Sequence, residues 1–490
     1  MAKSERSKKS KVLTSVAAVV LAASMLIGGG TYAYLQGESD DVINEFNANQ
    51  VTVDLKETTG NSYEIIPGTT QKKDPKVTVN ATVPAYLFVT VEDETDGLVD
   101  YAIADGWTKL DGYDNVYYRE VAASDAAQEF DVLAGNTVSY DAALENSDMT
   151  DEEGNLKDGL ALSFKAYAIQ KDPFNDPADA YLAKDAVKVE DAESLQKQID
   201  SGSSVILVSG DIKVTESVRI PEGKNVKLVL SGTVTADNAD AIVVENGAAF
   251  ELSGGKIVAA PAKAAVYNEG TATIENITIT RSEESTTNDA YVIVNHGAMT
   301  LEKGVYVQAP ASGSSMIENG YQNGSSATES VKMVINGGTY IGGLNPVKND
   351  DWGVLEINDG YFENQAENQY SVVNMNELTI NGGEFYSVGP VIWTGSLDTG
   401  YDKGIVYVYN GYFETEQKYP AFYVNHNFGG YTDDACYYFG ACTIKMNTHN
   451  YTELGTNFCG PTHTAYHRLE GTGYPKIDYK NGTVTYVSEA

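Results

Sequence analysis

The chain has 490 residues, with 33 Lys and Arg against 69 Asp and Glu, a formal net charge of −36. That balance argues against nucleic acid as a partner, because phosphate binding needs cations that release counterions, and against anionic membrane surfaces. Three cysteines cannot form a disulfide scaffold, whereas 42% hydrophobic residues suffice for packed cores.

Residues 1–33 read as an export signal. Lys3, Arg6, Lys8, Lys9 and Lys11 make a basic start, an apolar run follows from Val12 to Gly30, and small residues close it at Thr31-Tyr32-Ala33. Basic, then apolar, then small is the secretory order, with cleavage expected between Ala33 and Tyr34. The run is long enough to serve instead as a retained anchor, a reading weakened by Gly28 to Gly30. No second apolar segment of about 20 residues occurs, so no stable span is expected after cleavage.

Residues 34–171 carry short alternating stretches such as Gln50–Leu55, Pro75–Asn80, Tyr86–Val91 and Leu160–Tyr167. Turn signals separate them, at Pro67-Gly68, Asp96-Gly97 and Asp111-Gly112. Short strands at this spacing predict an antiparallel sandwich. Several motifs in this stretch occur in a set order. Gly29-Gly30-Thr31-Tyr32-Ala33-Tyr34 comes first, then Ile66-Pro67-Gly68 with Lys73–Val79. Gly106-Trp107, Val116-Tyr117-Tyr118-Arg119 and Ala166–Gln170 follow. Together they resemble the TasA/camelysin family of Gram-positive bacteria, over about 140 residues. The resemblance implies a jelly-roll-like sandwich, exported through a SipW-type signal peptidase, in a family that often joins extracellular matrix fibres. Some camelysin-type relatives are classed as metallopeptidases. All five histidines lie outside this stretch and no His-Glu-x-x-His occurs, so a zincin mechanism has no ligands here. The clusters Glu92-Asp93-Glu94 with Asp96, and Asp148 with Asp151–Glu153, have calcium-type oxygens. They lack EF-hand spacing and read as solvated loops. No cofactor is expected, with calcium the one weak candidate.

Residues 172–203 read as linker and cap. Pro173 and Pro177 break the last strand. Val189–Ile199 then reads as a short helix, with Asp191 at its start and Gly202 at its end. Leu195 and Ile199 share one face, and such a helix can close the open end of a solenoid.

From 204 onward the sequence repeats as apolar-x-apolar-x-x-Gly-x-apolar. Phe250, Leu252, Gly255 and Ile257 fit it, as do Leu355, Ile357, Gly360 and Phe362. From 255 to 411 the steps are 22, 27, 34, 22, 23 and 28 residues. A period near 22 with insertions predicts a β-solenoid of about nine or ten coils, over 204–430. Residues 431–490 would form the last coils and a C-terminal cap. The last pattern position runs Ile257, Ile279, Tyr306, Tyr340, Phe362, Phe385, Phe413, a column expected to stack inside. Asn268, Asn295, Asn374 and Asn425 precede successive patterns and read as an asparagine ladder. Asn246 and Asn319 look displaced by one, and His296 and His426 read as turn residues. The repeat resembles the right-handed parallel β-helix of pectate-lyase-like proteins and bacterial adhesins. The fold expected is therefore all-β: an antiparallel jelly-roll-like sandwich, a short helical cap and a right-handed parallel β-helix.

Chemistry is sparse in this half. Glycoside hydrolysis needs two carboxyl groups, and only Asp350-Asp351 and Asp433-Asp434 are acid pairs near aromatics. Trp352 and Trp393, placed in inserted loops, are the candidate glycan contacts. Cys436, Cys442 and Cys459 lie beside His449, His463 and His467, which leaves zinc and a Cys436–Cys442 disulfide both open. The leading expectation is a non-enzymatic surface or matrix protein, biofilm-type, whose solenoid is a display stalk. Insertions at 281–290, 308–330 and 343–353 would meet other matrix proteins, surface proteins or glycans. The alternative is a secreted polysaccharide lyase or glycoside hydrolase using Asp350 and Asp351.

Overall fold

In the computed structural model the described residues run from 51 to 485. Residues 61, 152–154, 156, 158–159, 173, 175, 282–286, 288–289, 312, 323, 325–326, 328, 398, 416–420, 426–434, 440–442, 448–465, 469–475 and 480–481 are excepted. The signal segment with Ala33 and Tyr34, and the pairs Asp433-Asp434, Cys442 and Cys459, lie outside them, as does the side chain of Cys436. The chain divides into two compact units, with the break after Asp185.

The first unit is an antiparallel sandwich. Strands Val51–Lys56, Lys76–Ala81 and Gln128–Asp131 form one sheet. Thr108–Lys109, Val116–Val121, Ala85–Asp93 and Leu162–Gln170 form the facing one. Alternation decides which side chains go inside: Val77, Val79 and Ala81 meet Leu87, Val89 and Val91 in one core. Arg119 lies over the Phe130 ring at 3.8 Å and the Trp107 ring at 5.3 Å. The sequence reading missed a helix, Pro177–Leu182, whose Pro177 sits at N1 rather than simply ending a strand. Asp176 caps it by accepting from Ala178 N at 2.7 Å. Tyr181 packs on Phe88 and Tyr113, with centroids 5.2 and 5.1 Å apart.

The second unit is the right-handed parallel β-solenoid. Its opening helix, Ala192–Ser201, is capped by Asp191, which accepts from Ser194 N at 2.7 Å, and ends at Gly202 in the left-handed region. Leu195 and Ile199 turn inward and join the solenoid core. Three parallel sheets follow, of twelve, twelve and nine strands, so nine coils carry all three. Each strand pairs with its counterpart one coil on, for example Leu355 with Leu378 and then Val406. An antiparallel pair, Lys476–Tyr479 with Gly482–Thr485, ends the second sheet.

Two inward columns organise the interior. In the second sheet, Tyr340, Phe362, Phe385 and Phe413 stack at 4.9, 4.8 and 5.0 Å with interplanar angles of 13°, 7° and 5°. The glycine two residues before each ring explains its place in the pattern. Gly360 and Gly411 have φ of 134° and 141°, and a Cβ there would come within 2.9 Å of Phe362 and Phe413. One expected member is corrected: Val307, not Tyr306, pairs with Ile279 and Tyr340. The extra residue at Val305 moves Tyr306 to the outer face.

In the third sheet, Asn268, Asn295, Asn319, Asn349 and Asn374 are all fully buried and in register. Each Nδ2 donates to the next Oδ1, at 2.7, 2.8, 2.7 and 2.8 Å, and Asn374 donates to Thr394 Oγ1 at 3.0 Å. Asn319 therefore belongs to the ladder, as does Asn349. Asn246 does not, since Val244 occupies that register, and Asn425 pairs with Gly395 one position beyond it. The insertions before Asn319 and Asn349 hide the register in the sequence.

Truncating Phe385 to Ala removes the middle of the ring stack and should cost about 3–5 kcal/mol. Asn349→Ala strands several buried partners at about 1–3 kcal/mol each. Denaturant midpoints of both variants against the unchanged chain check this.

Candidate functional site

The turn that leaves each ladder asparagine is where the coils differ. The residues next after Asn268, Asn295, Asn319, Asn349 and Asn374 are Glu269, His296, Gly320, Asp350 and Met375. The turn after Asn349 continues as Asp350-Asp351-Trp352. Both acids are buried, at 3% and 8% exposure. Gly320, one coil earlier, leaves the space they occupy: a Cβ there would meet Asp351 O at 2.5 Å and Asp350 O at 2.9 Å.

The two carboxyls have opposite surroundings. Asp350 Oδ2 is ion-paired with Lys348 Nζ, and Oδ1 accepts from Asp351 N at 3.2 Å. Asp351 has no cation in contact among the described residues. Its Oδ2 accepts only from Gly324 N, at 3.0 Å. Burial first, then the neighbouring Asp350 and Asp402 carboxylates, push its carboxyl up to about 6, against the opposing pull of the Gly324 bond. Asp402, 4% exposed, holds its own loop by accepting from the backbone of Leu397 and from Thr399 N at 2.8 Å.

A third carboxyl lies one coil away. Glu318, 4% exposed, comes just before Asn319, and its Oε1 has no hydrogen-bond partner. Burial raises its carboxyl, and Asp350 adds to the rise. Its Oε2 is 3.8 Å from His296 Nε2. His296 Nδ1 is 3.0 Å from the Tyr267 hydroxyl, and its ring stacks on Tyr321 at 4.3 Å. His296 is thus a turn residue tied into the acid cluster.

Aromatics pack beside the acid pair. Trp352 has φ of 64°, rare for a bulky residue. It stacks on Tyr401 at 6.0 Å and donates from Nε1 to Gly324 O at 2.9 Å. A non-glycine residue held there is strained, and such strain gathers at working sites. Trp393 is corrected: it lies on strand Ile392–Gly395, not in a loop, 7% exposed and packed near Tyr370. Its register with Val373 assigns it to the sheet.

Elsewhere the chain offers less. Glu92 and Asp96 pair with Lys165 and Lys157, which occupies the acid cluster of the sandwich. A cleft of about 960 Å³ in that unit is lined by Tyr63, Tyr140 and Phe164. Its buried Lys73 is already paired with Glu57 at 3.1 Å. Among the described residues, no group of three His, Cys, Asp or Glu is placed to hold a metal ion, and no helix is long and apolar enough to cross a membrane.

No family model and no curated protein matches the sequence. Among solved structures, the catalytic domain of a GH87 alpha-1,3-glucanase in complex with tetrasaccharides is similar at 10% identity and a TM-score of 0.32. The match covers 86% of this chain and 98% of that one. The same type of domain in complex with nigerose gives 0.26, and the Agl-KA catalytic domain gives 0.23 over 90% of this chain. These are enzyme domains, not matrix proteins or adhesins. The expectation of a non-enzymatic display stalk is corrected by the turn itself. The physical reason lies in Asp350 and Asp351, which a display loop would leave in water and which this turn buries.

Asp351 holds its proton more tightly folded than unfolded. Its contribution favours folding below about pH 3.8 and is lost as pH rises through about 6. Asp351→Asn should match the unchanged chain near pH 3.5 and exceed it at pH 7.5, by on the order of 3 kcal/mol at most. Thermal or denaturant midpoints across that range measure the difference.

Proposed function

We propose that this chain is an exported glycoside hydrolase, with Asp351 as its acid and Asp350 as its second carboxyl. One observation carries the reading: two adjacent buried carboxyls in opposite environments, the pattern that divides acid and base roles. Asp351, protonated up to about pH 6, would hand its proton to the leaving glycosidic oxygen. Asp350, ion-paired with Lys348, would activate water or attack the anomeric carbon. Trp352 and Tyr401 stack on each other beside the pair, and the outer side of that stack would be the sugar contact. The substrate is an uncharged polysaccharide, since an anionic one would face a cluster of buried acids and a net charge of −36. A lyase is less well supported, because the one cation at the pair, Lys348, is engaged by Asp350.

The first unit is read as a TasA/camelysin-type module, delivered to the outside by a SipW-type peptidase cutting between Ala33 and Tyr34. Support comes from the ordered motifs and from the antiparallel sandwich they fall on. N-terminal sequencing of the exported protein should begin at Tyr34; an intact Met1 start refutes this part.

Turnover is to be sought on a panel of neutral α- and β-glucans, by reducing-end release. Asp351→Asn should lower kcat by about 10²–10⁴-fold, the usual worth of a general acid, and Asp350→Asn should abolish turnover while circular dichroism stays unchanged. No release from any panel member, or release unaltered by both substitutions, overturns the proposal.

A further inference from the structure

We propose that the outer face of the second sheet binds a linear, amine-bearing glycan laid along the solenoid axis, across the coils of Tyr361, Tyr386 and Tyr412. This surface is separate from the acid pair, which lies at the exit of the third sheet, and does not depend on the hydrolase reading.

The geometry follows from alternation along each strand. Where Phe362, Phe385 and Phe413 point inward, their neighbours point out. Pairing aligns Tyr361 with Glu384 and then Tyr412, and Glu363 with Tyr386 and then Glu414. The result is a checkerboard of three phenols and three carboxylates over three successive coils. The rings touch one another, with centroids 5.0 and 5.6 Å apart. Each hydroxyl donates to the carboxylate two residues away on its own strand, at 2.7, 3.1 and 2.5 Å. Those bonds pin every ring in place before any ligand arrives, so little side-chain freedom is left to lose on binding.

Charge selects the ligand. Glu363 and Glu384 make no ion pair among the described residues. Earlier in the same sheet, outward positions hold Lys213, Lys256 and threonines, so the acidic, aromatic stretch is local. Carboxylates beside half-buried rings suit an ammonium group, through Coulomb attraction and cation–π contact together. Spacing selects the polymer. Within one column the tyrosine recurs at every second coil, Tyr361 and then Tyr412, about 9.6 Å on. Two rings of a linear pyranose chain advance by close to that distance. An extended basic peptide does not fit, since its same-side residues recur every ~6.6–6.8 Å.

The test uses the full chain and a glucosamine hexamer, with cellohexaose and hexalysine as comparison ligands, followed by titration calorimetry at pH 6. The hexamer should bind, and Glu363→Gln with Glu384→Gln should weaken it at least tenfold. Tyr386→Ala should do the same, with circular dichroism unchanged. Glu216→Gln with Glu222→Gln removes the same charge from exposed positions elsewhere and should leave affinity within twofold. Equal loss in that control, tighter binding of cellohexaose or hexalysine than of the hexamer, or no binding of the hexamer at all, overturns the proposal.

Discussion

A buried amide that must satisfy its donors and acceptors without water sets the terms for the rest of the solenoid. Each ladder asparagine turns the chain from the third sheet into the next coil. Asn349 accepts from Asn319 and donates to Gly353 O, Asn374 Oδ1 and Glu377 O, so it ties together the coil before, its own turn and the coil after. Leaving any of these groups unpaired in a dry interior is expensive. The register of every strand downstream is fixed by that requirement as firmly as by apolar stacking. The acids at 350 and 351 are the next two residues along, and their burial follows from where the asparagine must sit.

Burial in turn makes the surroundings of those acids decisive. A carboxyl taken out of water resists ionisation unless a cation compensates. Lys348 stands on the strand two residues before Asp350 and is ion-paired with it, whereas among the described residues no cation is in contact with Asp351. The two chemically identical neighbours thus differ in their contact with one lysine, at a position held by Val294 two coils earlier and Val373 one coil later.

The architecture was legible because a period near 22 residues and an alternating apolar pattern survive the insertions. The ring column was legible because glycine precedes each ring at a constant offset. Asn319 and Asn349 were harder, since long insertions before them break the count, and only hydrogen-bond pairing restores it. Asp350 and Asp351 stood out as an acid pair beside Trp352. Glu318, Lys348 and Asp402 did not, because they join the pair through coil register and a returning loop, relations that separate them by up to 52 residues along the chain. An acid directly before a ladder asparagine was the one signal available for Glu318. The burial of that pair was not legible, because a buried acid pair and a solvated one read alike in sequence.

The amide ladder also has a direction. Every Nδ2 donates to the following coil, and from Asn295 to Asn374 every Oδ1 accepts from the preceding one, the run starting at Asn268 and ending at the hydroxyl of Thr394. Removing a whole coil, from one asparagine to the next, leaves donors facing acceptors; removing part of a coil does not. The molecule can therefore lengthen or shorten by duplication or loss of complete turns, with each new turn bringing its own residue just after its asparagine. Gly320, Asp350 and Met375 are all buried at that position, so chemistry acquired at the exit turn is packed against the interior and is acquired at some cost to it.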